Sequence, residues 1–456
     1  MNASTHMSPG LWRLPNGQAS NNDLSYWVEL AKLLESGNFD GIFIADTLGL
    51  YDLYKGPENI GPALQSGAQV PYSDPSVIIS AMAYATQSIA FGVTASVTYE
   101  NPFILARRYS TLDHVTRGRI GWNVVTSHLA SAARNCGLKE EIPHDERYVR
   151  AEEFMDAVYK LWEGSWRDDA LVRDAKRGVY IEPDRVRAIN HEGKYFSVAG
   201  PNAVDPTPQR TPFLFQAGAS SAGKLFATKH AEVMFLPGMS PENVRKIADD
   251  IRHQATLQGR DRDSIKLLAG MLVIVDETDE KAQQKYNDFL EASDLDGVAT
   301  LLGGWTGVDL SALADDEDFH FTGPGAVQSL VKTWSATVPG SDNVKWTKRR
   351  VLQELAMAGA HPRVVGGPQT VADQLQRWIE VADIDGFNFS HAVSPGTFED
   401  MVKYLWPELR RRGVIKEEYK VVGGAARENY LEDGLGPRLR RNHPGAAYTW
   451  RKPEEA

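Results

Sequence analysis

The sequence predicts a (β/α)8 barrel of the TIM type, with insertions and with its first strand short or missing. Three observations carry this. Strand-like and helix-like segments alternate along the chain. Each strand is followed by a helix, or by an insertion and then a helix, and repeated right-handed βα units make a parallel sheet. No glycine-rich dinucleotide fingerprint follows any strand, which weighs against a doubly wound open sheet, the alternative architecture.

The elements follow in order. Residues 21–36 read as a helix with Leu24, Trp27, Val28, Ala31 and Leu34 on one face, and Gly37 stops it. Residues 39–45 (FDGIFIA) are a short buried strand ending at Asp46. Asp74-Pro75 is a cap followed by a first-turn proline, so a helix starts there. Residues 89–97 are the next strand, Asn101-Pro102 opens a helix to about Thr116, and 119–125 (RIGWNVV) is a strand. A long helix covers about 145–162, its apolar stripe made by Ala151, Phe154, Met155, Val158, Leu161 and Trp162. Residues 163–210 are irregular and too long for a barrel connection, so they form an insertion. Strands at 213–216, 232–236 and 266–275 then alternate with helices beginning at Ser220, Ser240 and Asp279. A second insertion spans about 294–367. Thr370 caps a helix, 386–390 is a strand and 397–412 a helix. That makes seven strands where a barrel needs eight; the eighth is expected before residue 21, where residues 1–8 are few and mostly polar. One barrel domain over 1–456, with a C-terminal tail from about 413, is the expected organisation.

Composition excludes several classes. Hydrophobic content of 42% and charged content of 24% are ordinary for a globular enzyme. The longest apolar runs fall far short of the roughly 18 residues of a membrane span. A net charge of −11 leaves no basic footprint for nucleic acid, and Arg438, Arg440, Arg441, Arg451 and Lys452 read as a solvated tail. Cys136 is the only cysteine, so neither an internal disulfide nor a cysteine-based zinc site is available. With no signal sequence in MNASTHMSPG, a cytoplasmic location is expected.

In a βα barrel the active site lies at the C-terminal ends of the strands. Those ends carry Asp46; then Thr94, Ser96, Thr98 and Tyr99; then Asn123, Thr126, Ser127 and His128; then Gly218, Ser220 and Ser221. The set is neutral and polar, with one carboxylate and one imidazole. It lacks the ligands a metal needs and has no GxSxG elbow. It suits hydrogen bonding to a heteroaromatic ring and a phosphate. QAGASSAG (216–223) joins a strand, a Gly turn and Ser residues at a helix N-terminus, an anion-binding arrangement whose alternative reading is an ordinary capped loop. His128 could relay a proton, or could be a structural histidine beside a loop. His144 and Tyr148 share a helix face, with Asp145, Glu146 and Arg147 between them read as cap and solvent residues.

Several motifs together carry a family resemblance: HxSPGLW at 6–12, FDGIFIAD at 39–46, ARRYSTLDHVTRGRIGWNVVTS at 106–127, HDERY at 144–148, YKLWEGSW at 159–166, QRTPFLFQAG at 209–218, KHAEVMFL at 229–236 and DGFNFSHAVSPGTF at 385–398. The chain resembles the bacterial-luciferase-like flavin monooxygenases, from about residue 6 to about 412. Within them it is similar to the nitrilotriacetate, dibenzothiophene-sulfone and long-chain alkane monooxygenases; HDERY, YKLWEGSW, HEGKYF and KHAEVMFL look most like the last.

The resemblance implies a two-component system without a metal. A separate NAD(P)H:FMN reductase supplies FMNH2, O2 adds at flavin C4a, and the hydroperoxide oxygenates a small apolar or organosulfur substrate. Long-chain alkanes and sulfones or sulfonates are the candidates. It places Asp46 near the flavin ring, Thr94 and Ser96 beneath it, and Asn123, Thr126, Ser127 and His128 in the loop against it. Tyr148 and Ser220, with Ser221 beside it, would hold the phosphate, while His6, Tyr51 and His128 would face the substrate. A homodimer or homotetramer is expected. Departures from the alkane enzyme are Ala3 for a cysteine, Pro9 for a histidine, and divergence over 322–367, all where substrate is expected. Two alternatives remain: a deazaflavin-dependent oxidoreductase on the same barrel, and a flavin-binding homologue without turnover.

Overall fold

A computed structural model of the chain describes residues 5, 7–17, 21–218, 220–319, 325–337, 344–357 and 359–450. Eight parallel strands form one sheet: β1 (Gly41–Ile44), β2 (Ala90–Ser96), β3 (Ile120–Val125), β4 (Phe213–Gln216), β5 (Val233–Leu236), β6 (Lys266–Val275), β7 (Arg363–Gly366) and β8 (Gly386–Ser390). Strands β1 to β6 pair in chain order. The long β6 then serves two partners: Leu268–Leu272 pair with β8 and Leu272–Val275 with β7. Helices α1 (Leu24–Ser36), α2 (Pro102–Val115), α3 (His144–Tyr159), α4 (Ser221–His230), α5 (Pro241–Leu257), α6 (Asp279–Ala292), α7 (Leu295–Thr306) and α8 (Pro368–Ala382) provide most of the outer layer.

Two expectations about strands are corrected. The described residues before α1 hold no strand; they make two short helical turns, Leu11–Arg13 and Pro15–Gly17. The eighth strand is β7, inside the segment read as the second insertion. Its sequence RVVG is only four residues long, between Pro362 and Gly367, too short to show a period. As a result the wall is open: among the described residues no pairing joins β1 to β8, and both border one cavity of about 640 Å3.

The interior of the sheet is aromatic. Phe215 stacks on Phe235 at 5.8 Å, and Phe43 meets Phe235 edge-on at 4.5 Å. Gly121 is required here, since a Cβ at that position would lie 2.4 Å from the Phe215 ring. The main core lies between the sheet and the helices, with Trp122, Tyr109, Phe154 and Met271 fully enclosed.

The first insertion is built from two antiparallel hairpins, Leu171–Asp174 with Val179–Ile181 and His191–Glu192 with Ser197–Val198. Arg210 pins it, its guanidinium donating to the carbonyls of Trp162, Glu163 and Trp166 and to Asp168. The second insertion has its own core, in which Val298, Leu302, Trp334, Trp346, Val351 and Leu355 pack together.

The C-terminal residues are not a solvated tail. Arg427 is fully buried and grips Glu232 at 2.6 and 2.8 Å, and it also donates to the carbonyls of Thr211 and Pro212. The Ala426 amide donates to the Gly118 carbonyl. These contacts seal the N-terminal ends of β3, β4 and β5, the end opposite the candidate site. Arg438 pairs with Asp168, and Arg440 with Asp433. Arg451 and Lys452 lie outside the described residues. Arg441 is exposed as its charge suggested, whereas Arg438 is held by Asp168, distant in sequence, and Arg440 by Asp433, seven residues before it.

Candidate active site

Strand pairing brings the polar residues of β2 and β3 together. Thr94 and Asn123 are register partners, and the Asn123 amide donates to the Thr94 hydroxyl at 2.8 Å. Two residues on, the Ser127 hydroxyl donates to Ser96 Oγ at 2.9 Å and the Thr98 amide donates to the same oxygen at 3.2 Å. The Thr98 hydroxyl donates to the Thr126 carbonyl. Thr94, Ser96, Thr98 and Asn123 are buried.

At this end Asn123 Oδ1 and, from the end of β4, Gln216 Oε1 are buried with no partner among the described residues. A buried acceptor left unmade costs about 1–3 kcal/mol, so a ligand N–H is the natural complement. Gln216 was absent from the sequence reading. Its signal was a polar residue closing the apolar strand FLFQ.

Asp46 follows β1. Burial pushes its carboxyl up to about 6, with the Thr47 amide opposing and Asp74 and Glu100 adding repulsion. A carboxyl whose folded value is raised adds stability while protonated, and that contribution is lost as pH rises through about 6. Asp46→Asn should therefore melt a few degrees above the wild type at a pH near 7.5 and close to it near pH 4, as read by scanning calorimetry.

The candidate anion site lies beyond β4. Ser220 is the N-cap of α4, its hydroxyl oxygen accepting from the Gly223 amide at 3.0 Å. A Cβ on Gly223 would lie 2.7 Å from Tyr148 Oη and 3.1 Å from both Ser220 Oγ and Gly218 Cα. Ser220, Gly223, Gly218 and Tyr148 thus converge on one small space at a helix N-terminus, where amides and dipole favour an anion. Ser221 stands exposed at the first helical position. Tyr148 is held between His144 at 5.3 Å and Phe226 at 5.9 Å.

Arg147, read from sequence as a solvent residue, is 7% exposed and donates to the Ile142 carbonyl at 2.7 Å. Its helical position beside Tyr148 turns it inward. It is a cation close to the site that sequence reasoning missed.

Tyr51 and His128 each reach Gly304 of α7, which crosses the mouth at the strand ends. The Tyr51 ring lies against Gly304 so closely that a Cβ there would come within 1.9 Å of it. The Trp305 indole donates to Tyr51 Oη at 2.9 Å. Burial pushes the Tyr51 hydroxyl up to about 12. His128 is solvent-accessible on its outer side, yet desolvation by the surrounding protein, with Arg147 nearby, holds its imidazole below the usual range, against a hydrogen bond to the Gly304 backbone. His6 lies outside the described residues. No cluster of three or more metal-ligating side chains occurs among the described residues, and no helix among them is long and apolar enough to cross a membrane.

Chemically, the hydroxyls and amides at the start of α4 can bind an anion, and the Asn123 and Gln216 oxygens can accept from N–H groups of a ligand.

Comparison with known proteins gives the following. The family model described as luciferase-like monooxygenase matches residues 9–383. A dimethyl-sulfide monooxygenase of Hyphomicrobium sulfonivorans is 46% identical over 449 residues, covering 98% of this chain and 92% of that protein. A long-chain alkane monooxygenase of Geobacillus thermodenitrificans (strain NG80-2) is 44% identical over 449 residues, covering 98% and 96%. Among solved structures, a riboflavin lyase with modified FMN and riboflavin matches at a TM-score of 0.86 and 34% identity, covering 99% of this chain and 98% of that one.

Proposed function

The chain belongs to the luciferase-like monooxygenase family, and from that membership we propose that it is the oxygenating half of a two-component system using FMNH2 delivered by a separate NAD(P)H:FMN reductase. The observation that carries the reading is the convergence of Ser220 Oγ and Tyr148 Oη on the start of α4, close to Gln216 Oε1, which like Asn123 Oδ1 is buried with no partner among the described residues.

Reduced FMN, when bound, supplies two electrons and the carbon, C4a, at which O2 is activated for transfer of one oxygen atom to the substrate. The protein does the rest. Ser220 and Tyr148 hold the phosphate, while Asn123 and Gln216 accept from ring N–H groups. Thr94, Ser96 and Ser127 lock the Asn123 loop in place. The aromatic interior limits water near the reacting atoms. His128, kept neutral by desolvation, can take or give a proton at a ring nitrogen beside the mouth. The substrate is an organosulfur compound or an alkane. Relatives named for both chemistries stand at 46% and 44% identity, so the choice falls to the pocket itself.

The test is anaerobic titration with FMNH2 followed by rapid mixing with O2. A long-lived absorbance transient distinct from reduced and oxidised FMN is the expected result. Immediate flavin oxidation would mean binding without turnover. Failure to bind FMNH2 while a reduced deazaflavin binds would replace the cofactor.

A further inference from the structure

The second insertion sets one side chain inside the barrel. His361 stands in the turn before β7, and its ring lies on Gly270 of β6, where a Cβ would come within 2.5 Å of Cδ2 and 2.8 Å of Nε2. Leu268, two residues earlier on β6, packs with Phe215 and Phe235 in the aromatic interior. Alternate residues of a strand share a face, so the side of Gly270 that carries His361 is the inner one, a layer nearer the C-terminal strand ends. Gly270 pairs with Asn388 of β8, which lines the cavity of about 640 Å3, and Leu272 pairs with Ser390. The turn is wedged from behind, since a Cβ on Gly359 would sit 2.5 Å from the Trp305 ring.

The ring is also fixed in direction. Its Nδ1 and the Ser390 hydroxyl are 2.5 Å apart. Burial pulls the imidazole down to about 4, so it is neutral at pH 7, with one N–H and one bare nitrogen. The Ser390 hydroxyl can donate or accept and so serves either tautomer. Nε2 meets no partner among the described residues, and the half-buried ring stays open to a ligand. The wall beside it is uncharged: Gly270, Asn388 and Ser390 are neutral, and Arg363, two residues on, is paired with Glu354. A hydrocarbon would leave Nε2 unmet, and an anion would lie in a low-dielectric wall to which these residues bring no cation.

We propose that His361 is a specificity-determining residue and Ser390 its positioning residue, and that the substrate carries an uncharged hydrogen-bonding group, a hydroxyl or a carbonyl, at the end that meets β6 and β8. This rests on the reading of the C-terminal strand ends as the reaction site.

The experiment uses the full chain, with and without saturating oxidised FMN. Affinities for hexanol, hexane and hexanoate are measured by equilibrium dialysis in sealed cells. His361→Phe keeps the ring and removes both nitrogens; it should weaken hexanol about tenfold and leave hexane and FMN affinities unchanged. Ser390→Ala should weaken hexanol about threefold, and Ser390→Thr should restore it. The pair His361→Phe with Ser390→Ala should lose no more than His361→Phe alone, because both act through one imidazole. In the wild type hexanoate should bind at least tenfold more weakly than hexanol. Equal losses for hexanol and hexane, additive losses, no measurable hexanol binding, or hexanoate held as tightly as hexanol would each overturn the proposal. A wild-type chain that does not bind FMN would overturn the flavin reading, and the comparison without FMN would still decide the role of His361.

Discussion

Gly223→Val should weaken FMN binding by about a hundredfold or more while leaving riboflavin, which has no phosphate, bound as in the wild type. The space is already accounted for: the first added carbon would lie 2.7 Å from Tyr148 Oη and 3.1 Å from Ser220 Oγ. Tyr148 must swing out, and the niche is filled by methyl groups. Hydrogen bonds to a charged group are worth about 1.5–3 kcal/mol each, so losing two reaches the stated factor. Gly223→Ala should fall between, and because alanine is the better helix former its melting temperature should not drop. Fluorescence quenching of FMN against riboflavin reads the difference. If both ligands weaken equally, Gly223 borders the ring rather than the phosphate.

Arg427→Met should cost about 3–5 kcal/mol of stability. Glu232 is 2% exposed and depends on that guanidinium. Burial opposes its ionisation, but Arg427 holds its carboxyl below the usual range. A lowered folded value means that the stabilisation is present at neutral pH and disappears as pH falls through that value. In Arg427→Met the buried carboxylate stands unpaired and its value rises, so the deficit relative to the wild type should be largest at neutral pH and shrink as pH falls and Glu232 takes up a proton. Glu232→Gln added to Arg427→Met should recover part of the loss, because the buried charge goes with its partner. Urea unfolding of the wild type and these two variants tests this; an Arg427→Met loss below about 1 kcal/mol would show the tail to be loosely held.

The strands that could be read to the residue, β4, β6 and β8, are apolar runs with sharp polar or Gly and Pro ends. Caps were legible at Ser220 and Asn101, which accept from the amides that their sequence positions promise, but not at Thr370: its helix starts at Pro368 behind Gly367, and the Thr370 hydroxyl instead donates to Asp279 at 3.0 Å. What could not be read is non-local. β7 is a strand only because the outer half of β6 is there to pair with it. Arg427 and Glu232 are 195 residues apart, and Trp305 and Tyr51 254 apart, so no window of sequence contains either contact. The candidate site divides the same way. The order of Thr94, Ser96, Asn123 and Ser127 at strand ends follows from alternation. Gln216 and Arg147 needed the three-dimensional neighbourhood to reveal an unpartnered oxygen and an inward-turned cation.

The second insertion packs around a core of its own, with Trp334 stacked on Trp346 at 5.4 Å, while its helix α7 forms one wall of the mouth. Mutations behind Trp334 and Trp346 fall in that separate core rather than in the main one. A library confined to residues 295–357 should therefore leave the main core standing, and should be felt at the strand ends chiefly through Gly304, whose backbone bonds His128 and which carries the Tyr51 ring.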